Sequence, residues 1–252
     1  MRTIHLTQSQ AKCYLSCRRK YFLEYEECLK PRQEAEALEI GKSYHACISS
    51  NEGSSDPKIN AMYQAYKKYI DCDILEHEKE FSLHLGYGVY YHGKVDGMCE
   101  DGSIVEHKTA GIIDDKYFFR LQADIQISLY MLANNTNKCL YTVVQKPTIR
   151  LKQNEEEEAF ADRLIHWYDD AVLNEKKVFR KTEIRTKSHL EEAKKEFLQI
   201  GREIRSNKIY PRNIMHCSIV GCPYQPLCLD YDPVLADDLY YKKDRINEEL
   251  EF

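Results

Sequence analysis

Proline, glycine and tryptophan are scarce in this sequence, whose 252 residues include seven Pro, ten Gly and one Trp. No Pro/Gly-rich linker divides the chain, no internal repeat appears, and a single domain spanning residues 1–252 is therefore expected. Long apolar runs are also missing: nothing approaches the ~20 uninterrupted apolar residues of a membrane span. The opening Met1-Arg2-Thr3-Ile4-His5 lacks the apolar run of a secretory signal. These absences lead to the expectation of a soluble, cytoplasmic protein with no membrane partner. An excess of base is lacking too, with 36 Lys+Arg against 41 Asp+Glu, so the surface is not basic all over. What is present is a 43% apolar share, which excludes a wholly disordered chain, and ten Cys. In a reducing compartment a disulfide framework is disfavoured, and clustered Cys read first as metal-binding or catalytic.

The small net charge of −5 conceals local asymmetry. Residues 1–34 hold seven Lys/Arg and four Glu, residues 175–212 hold twelve Lys/Arg and six Glu, and the acidic tail 229–252 holds three Lys/Arg against eight Asp/Glu. Hydrophobic spacing predicts helices over Ser9–Glu27, Ala35–Ile48 and Pro57–Ile70. The period then changes to two. Phe81, Leu83 and Leu85 alternate, Gly86-Tyr87-Gly88 turns, Val89–Met98 continues as a second strand, and Asp101-Gly102 turns into a third at Ser103–His107. A helix over Asp115–Leu132, a strand over Cys139–Gln145 and helices over Asn154–Leu173 and Ser188–Ser206 follow. Helices flanking a short mixed sheet make the expected class α/β, or α+β.

The chemistry concentrates in Gly93-Lys94-Val95-Asp96-Gly97 and, across the turn, Ile104-Val105-Glu106-His107-Lys108-Thr109. A turn at Asp101-Gly102 would set Asp96 and Glu106 on neighbouring antiparallel strands, facing one way. Two carboxylates so close repel unless a cation lies between them, and hard oxygen ligands suit Mg²⁺ or Mn²⁺. Strand alternation puts the Lys108 ammonium on the same side, where it can orient water or offset charge on a phosphorane-like transition state. An exposed hairpin with ordinary surface charges is the alternative for any single Glu-x-Lys.

With His45 in Gly41-Lys42-Ser43-Tyr44-His45 and the stretch Gln126-Ile127-Ser128-Leu129-Tyr130, the motif set resembles the PD-(D/E)xK nuclease superfamily. Within it the likeness is to the RecB-like exonuclease branch, which includes CRISPR-associated iron-sulfur exonucleases. The resemblance implies a restriction-endonuclease-like core of short mixed sheet and flanking helices, over 35–150. It implies a metal held by His45, Asp96, Glu106 and the His107 carbonyl, catalysis by Lys108, and Gln126 and Tyr130 holding substrate or site geometry. Gln126 and Tyr130, at i and i+4, share a helix face. Gly41-Lys42-Ser43 is not a nucleotide-binding loop, because Glu36 stands where its first Gly would be.

Cys217, Cys222 and Cys228 lie within twelve residues, interspersed with Gly and Pro, and suit a soft metal or an iron-sulfur cluster that needs one more ligand. Cys17, before the basic and aromatic run Arg18, Arg19, Lys20, Tyr21, stands where the RecB-like iron-sulfur nucleases carry their first cluster Cys. The resemblance implies a [4Fe-4S] cluster on Cys17, Cys217, Cys222 and Cys228, joining 1–34 to 175–228 in one helical, cluster-bearing part. A structural Zn²⁺ uses the same ligands, and Cys13, one helical turn from Cys17, could substitute. Such a junction would bring Arg18, Arg19 and Lys20 towards Arg202, Arg205, Lys208 and Arg212, a positive path for DNA with Tyr21, Tyr25 and Tyr210 near enough to stack bases.

The reading is a Mg²⁺- or Mn²⁺-dependent DNA exonuclease acting on single-stranded ends, with protein partners in a recombination or CRISPR adaptation complex. Its rivals are a non-catalytic DNA-binding or assembly subunit keeping the same fold, and a zinc-stabilised regulator. The acidic tail is expected to compete with DNA for the basic path.

Overall fold

Thr7 starts the first helix because its hydroxyl accepts the Gln10 backbone N–H at 3.3 Å while the Gln10 side chain accepts the Thr7 N–H at 2.7 Å. The computed structural model describes residues 3–33, 36–70, 72–169, 177–219, 221–229, 237–247 and 250. Two compact units emerge: Met1–Glu34, Glu80–Gly93 and Glu191–Phe252 form one, and Ala35–Lys79 with Lys94–Leu190 the other.

The first unit joins the two ends of the sequence. Strand β1 (Ile4–Leu6) pairs in parallel with the start of β4 (Val89–Cys99), matching Ile4 to Val89 and Leu6 to Tyr91. Strand β2 (Leu29–Pro31) pairs antiparallel with β8 (Tyr240–Lys242). The helix expected over Ser9–Glu27 is interrupted. It runs as α1 (Gln8–Ser16), breaks at Cys17 where the backbone is extended (φ −160°, ψ 112°), and resumes as α2 (Arg18–Tyr21) and a π-helical segment, Phe22–Glu26. Gly86, Tyr87 and Gly88 all have positive φ between β3 (Ile74–Gly86) and β4, a turn the two glycines adopt without Cβ strain. The Tyr87 carbonyl accepts Arg205 Nη1 at 2.6 Å.

Most of α8 (Lys187–Ser206) belongs to this unit. Its apolar stripe, with Phe197 fully buried, packs on Tyr91 at 4.6 Å between ring centroids. Gly201 lets the helix approach closely, for a Cβ there would lie 2.6 Å from Val89 Cγ1 and 3.2 Å from Leu6 Cδ1.

The second unit holds a mixed sheet. The later part of β4 pairs antiparallel with β5 (Ile104–Ala110), β5 pairs in parallel with β6 (Lys138–Gln145), and β6 pairs antiparallel with β7 (Val178–Ile184). The parallel step needs a crossover, supplied by α5 (Asp115–Gln122) and α6 (Ile125–Ala133). These two replace the single helix expected over Asp115–Leu132, because the Asp124 carboxylate accepts the Gln126 N–H at 2.9 Å and caps a new helix. Helices α3 (Glu36–Ser50), α4 (Pro57–Tyr69) and α7 (Glu157–Asp169) contribute a core of Tyr44, Met62, Tyr66, Leu164 and Tyr168 with Val144 of β6. This is the expected mixed α/β arrangement, consistent with a restriction-endonuclease-like core. Of the helix expected over Asn154–Leu173, residues 170–173 lie outside the described residues, as do 175–176 of the basic stretch and 230–236, 248–249 and 251–252 of the acidic tail.

Gly201→Ala should lower stability. Overpacking against the stiff, fully buried Val89 costs about 1–3 kcal/mol, which outweighs the helix-propensity gain of about 1 kcal/mol. A urea-denaturation midpoint equal to or above that of the wild type would refute this packing account.

Candidate active site

The register that sets Gly97 opposite Val105 brings Asp96 beside Glu106 one step further along the two strands. Gly97 is required for local reasons: a Cβ there would lie 2.7 Å from Ile74 Cγ2 of the neighbouring strand. Asp96 is held from two directions. The His107 backbone N–H donates to Oδ2 at 2.6 Å, and His45 Nδ1, carried on α3, lies 3.2 Å from Oδ1. Burial by itself would raise the Asp96 pKa, but the hydrogen bond and charge of His45 outweigh it and hold the carboxyl well below the usual carboxylate range. His45 is the reciprocal case, lowered by burial and raised further by Asp96, with a net upward shift.

Glu106 is 2% exposed. Its Oε1 pairs with Lys108 Nζ, as strand alternation predicts, and accepts Gln126 Nε2 at 3.1 Å. Gln126 Nε2 is also 3.0 Å from the Tyr130 hydroxyl, so the i, i+4 pair on α6 acts as a single clamp. Burial pushes Glu106 up to about 7 despite the Lys108 ammonium. For Lys108, burial favours the neutral amine, but the charges of Glu106 and Asp96 prevail and raise its pKa. His107 packs edge-on to Tyr66 and bonds Thr142 Oγ1 through Nδ1 at 2.7 Å. Burial lowers its pKa to about 4, which keeps the ring neutral.

His45, Asp96, Glu106, His107, Lys108, Gln126 and Tyr130 thus meet in one unit, from α3, β4, β5 and α6. Sequence reasoning missed Glu78. Among the described residues, the one group of three possible metal-ligating side chains with ligand atoms within 4.8 Å of one another is His45, Glu78 and Asp96. Glu78 has a left-handed φ of +54° within β3, which breaks period-two alternation, and it pairs with Lys94. Nothing in the charged run Glu76-His77-Glu78-Lys79-Glu80 marks that position. The donor set, two carboxylates and one imidazole, fits a divalent ion such as Mn²⁺ or Mg²⁺. Glu106 stands outside this group of three, engaged with Lys108 and Gln126.

In the other unit, Cys17 sits at the extended break between α1 and α2. Cys217 lies on α9 (Ile214–Ile219) and Cys228 on α10 (Gln225–Leu229). The Arg19 N–H donates to the Pro211 carbonyl at 3.2 Å and Asn213 Nδ2 to the Ser16 carbonyl at 2.7 Å, so the segment before Cys217 is fastened beside Cys17. Burial raises the Cys222 thiol, against a backbone hydrogen bond at Tyr224 and the Lys20 charge, with smaller upward contributions from Cys217 and Cys17. Cys13 is a poor substitute ligand: burial and Glu24, whose Oε2 is 3.7 Å from its sulfur, push the thiol far up and disfavour thiolate.

Arg18 lies over the Tyr14 ring and 3.6 Å from Glu203, Arg19 lies over Phe22, and Lys20 is 3.8 Å from Glu24. Tyr21 is the correction to the sequence reading. It is 3% exposed, with Tyr14, Tyr25 and Tyr210 around its ring, and serves as core rather than as an open stacking surface. Tyr25 is buried as well.

Residues 5–73 match the family model of the PD-(D/E)XK nuclease superfamily, a stretch that includes Cys17, the basic run and His45. No curated protein matches the chain. Among solved structures the chain is similar to the protein SSO0001, with a TM-score of 0.47 and 13% identity over 91% of this chain and 88% of that one. A phage-related exonuclease from Haemophilus somnus 129PT gives a TM-score of 0.43 and 12% identity over 77% and 78%. A protein from Eubacterium rectale described as an exonuclease gives 0.48 and 14% over 85% and 93%.

Glu106, pushed up to about 7 by burial, is neutral at lower pH, and His45, whose pKa Asp96 raises, holds its proton more tightly than a free imidazole. Both effects oppose a bound cation, so Mn²⁺ affinity should rise with pH, by up to about tenfold per pH unit for each proton released. Titration followed by electron paramagnetic resonance checks this. A flat profile between about pH 6 and 8, or undiminished affinity in Glu78→Gln, would count against the site.

Proposed function

We propose that this chain is a deoxyribonuclease that hydrolyses phosphodiester bonds with Mg²⁺ or Mn²⁺, acting as an exonuclease on single-stranded ends. The observation that carries the reading is the convergence of His45, Asp96, Glu106, Lys108 and Gln126 from separate elements into one unit. The match of residues 5–73 to a nuclease superfamily supports it. His45, Asp96 and Glu106, with the His107 carbonyl and with Glu78 added, would hold the metal. Bound there, a divalent ion polarises a phosphoryl oxygen and lowers the pKa of water.

The chain's own residues supply the rest. The His107 amide fixes one Asp96 oxygen and leaves the other directed to the His45 side. Lys108, a cation held on a buried carboxylate, offsets negative charge building on the phosphorus-bound oxygens and orients the attacking water. Gln126, itself held by Tyr130, fixes the Glu106 carboxylate that positions Lys108.

We assign to Cys17, Cys217, Cys222 and Cys228 a [4Fe-4S] cluster that fastens the chain ends. The segment before Cys217 is already bonded to the residues flanking Cys17, through the Arg19 N–H to Pro211 and the Asn213 side chain to Ser16, which supports a shared site; the four thiols suit structural Zn²⁺ by the same donor chemistry. Arg18, Arg19 and Lys20 are the residues we assign to DNA phosphates in this unit.

Asp96→Ala and Lys108→Ala should each reduce metal-dependent digestion of labelled single-stranded DNA at least about a hundredfold while circular dichroism stays native. Undiminished cleavage by purified Asp96→Ala overturns the mechanism. Anaerobically purified protein should be brown, with thiolate-to-iron absorbance near ~400 nm. Colourless protein carrying stoichiometric zinc would replace the cluster assignment.

A further inference from the structure

A cleft of about 380 Å³ opens in the first unit between the end of α1 and the segment leading into α9. Its walls are fixed relative to each other by the Arg19-to-Pro211 and Asn213-to-Ser16 hydrogen bonds. Part of the lining is apolar and open to water: Leu15 is 58% exposed, Ile214 75% and Met215 72%. Two cations line it, Arg212 and Arg18, the latter also 3.6 Å from Glu203 outside the lining; Cys17 lines it too, and no carboxylate is among the lining residues. The Arg18 guanidinium lies 5.0 Å from the centre of the buried Tyr14 ring, so one side is backed by an aromatic surface.

An apolar floor between two cations offers a place to lay a flat apolar face whose neighbours on both sides are anionic. That is the chemistry of an unpaired nucleotide within a strand: the base covers the floor and the flanking phosphates meet the arginines. In a duplex the base faces are covered by stacking, and a cleft of this size admits no double helix. An acidic peptide with one apolar anchor has part of the same chemistry. Arg19 and Lys20, the latter 3.8 Å from Glu24, carry positive charge along the chain beyond the cleft, however, which suits a repeating polyanion better than a single acidic flank.

We propose that this cleft binds one unpaired nucleotide of a DNA strand, with the base over Leu15 and Met215 and the adjoining phosphates on Arg18 and Arg212. This rests on the deoxyribonuclease reading and deepens it, by tying the preference for single strands to a subsite built from residues other than the catalytic ones.

The test measures fluorescence anisotropy of a labelled oligothymidylate and of a matched duplex, with the full-length protein in EDTA so that nothing is cut. Arg212→Glu should weaken oligothymidylate binding about tenfold and lower the slope of log affinity against log salt by about one or more. Met215→Ser, a surface change, should weaken oligothymidylate binding several-fold and leave duplex binding unchanged. Oligothymidylate binding that is undetectable, or unmoved by both variants, overturns the proposal; an acidic-peptide cleft would give the latter result. Equal losses for both DNAs in Met215→Ser also overturn it, since only phosphate contact would remain. Binding is read without catalytic metal, so failure to cleave with Mg²⁺ or Mn²⁺ would count against the nuclease reading alone.

Discussion

A buried carboxylate survives only if its charge is met, and the second unit is organised around meeting two. Asp96 is answered by the His45 ring and the His107 amide, Glu106 by Lys108 and Gln126. An unpaired charge in such a position would cost several kcal/mol. The helix carrying His45, the crossover helix carrying Gln126 and the register of two strands are therefore coupled through these oxygens. The same arrangement suits catalysis, because groups already fixed by hydrogen bonds need little reorganisation as charge develops.

Lys108 and Glu106 illustrate how environment assigns roles. Both are placed by alternation on one strand, yet burial drives the acid towards neutrality while its charge keeps the amine protonated. A carboxyl near 7 and a fixed ammonium beside it are sensitive to any cation that enters. Glu78 adds to this from a strand position whose left-handed backbone is unusual for a non-glycine residue. Such strain persists where the surroundings over-determine it, often at functional sites.

The other unit depends on a different constraint, the fastening of distant parts of the chain. Extended backbone at Cys17 breaks the first helix, and the 211–213 segment then bonds to the residues on either side of it. Aromatic side chains that read from composition as surfaces for DNA are spent on this junction. Tyr14, Tyr25 and Tyr210 each pack on Tyr21, and the open surface nearby is aliphatic and cationic instead.

Much of the site was legible in the sequence because its signals are local. Alternation through Glu106-His107-Lys108, the turn at Asp101-Gly102 and the i, i+4 relation of Gln126 to Tyr130 follow from the chain's own periods of 2 and 3.6. What tertiary structure alone decided involves partners far apart in sequence. Short strands β1, β2 and β8 are defined by the strands they pair with, and carry too few residues to show a period. The long predicted helices were cut at Cys17 and Ala123-Asp124, where capping and packing overrode a weak propensity. Glu78 joined His45 and Asp96 through a backbone conformation with no sequence signature. Local spacing fixes which face a side chain occupies, whereas which faces meet is settled by burial and charge summed over the whole fold.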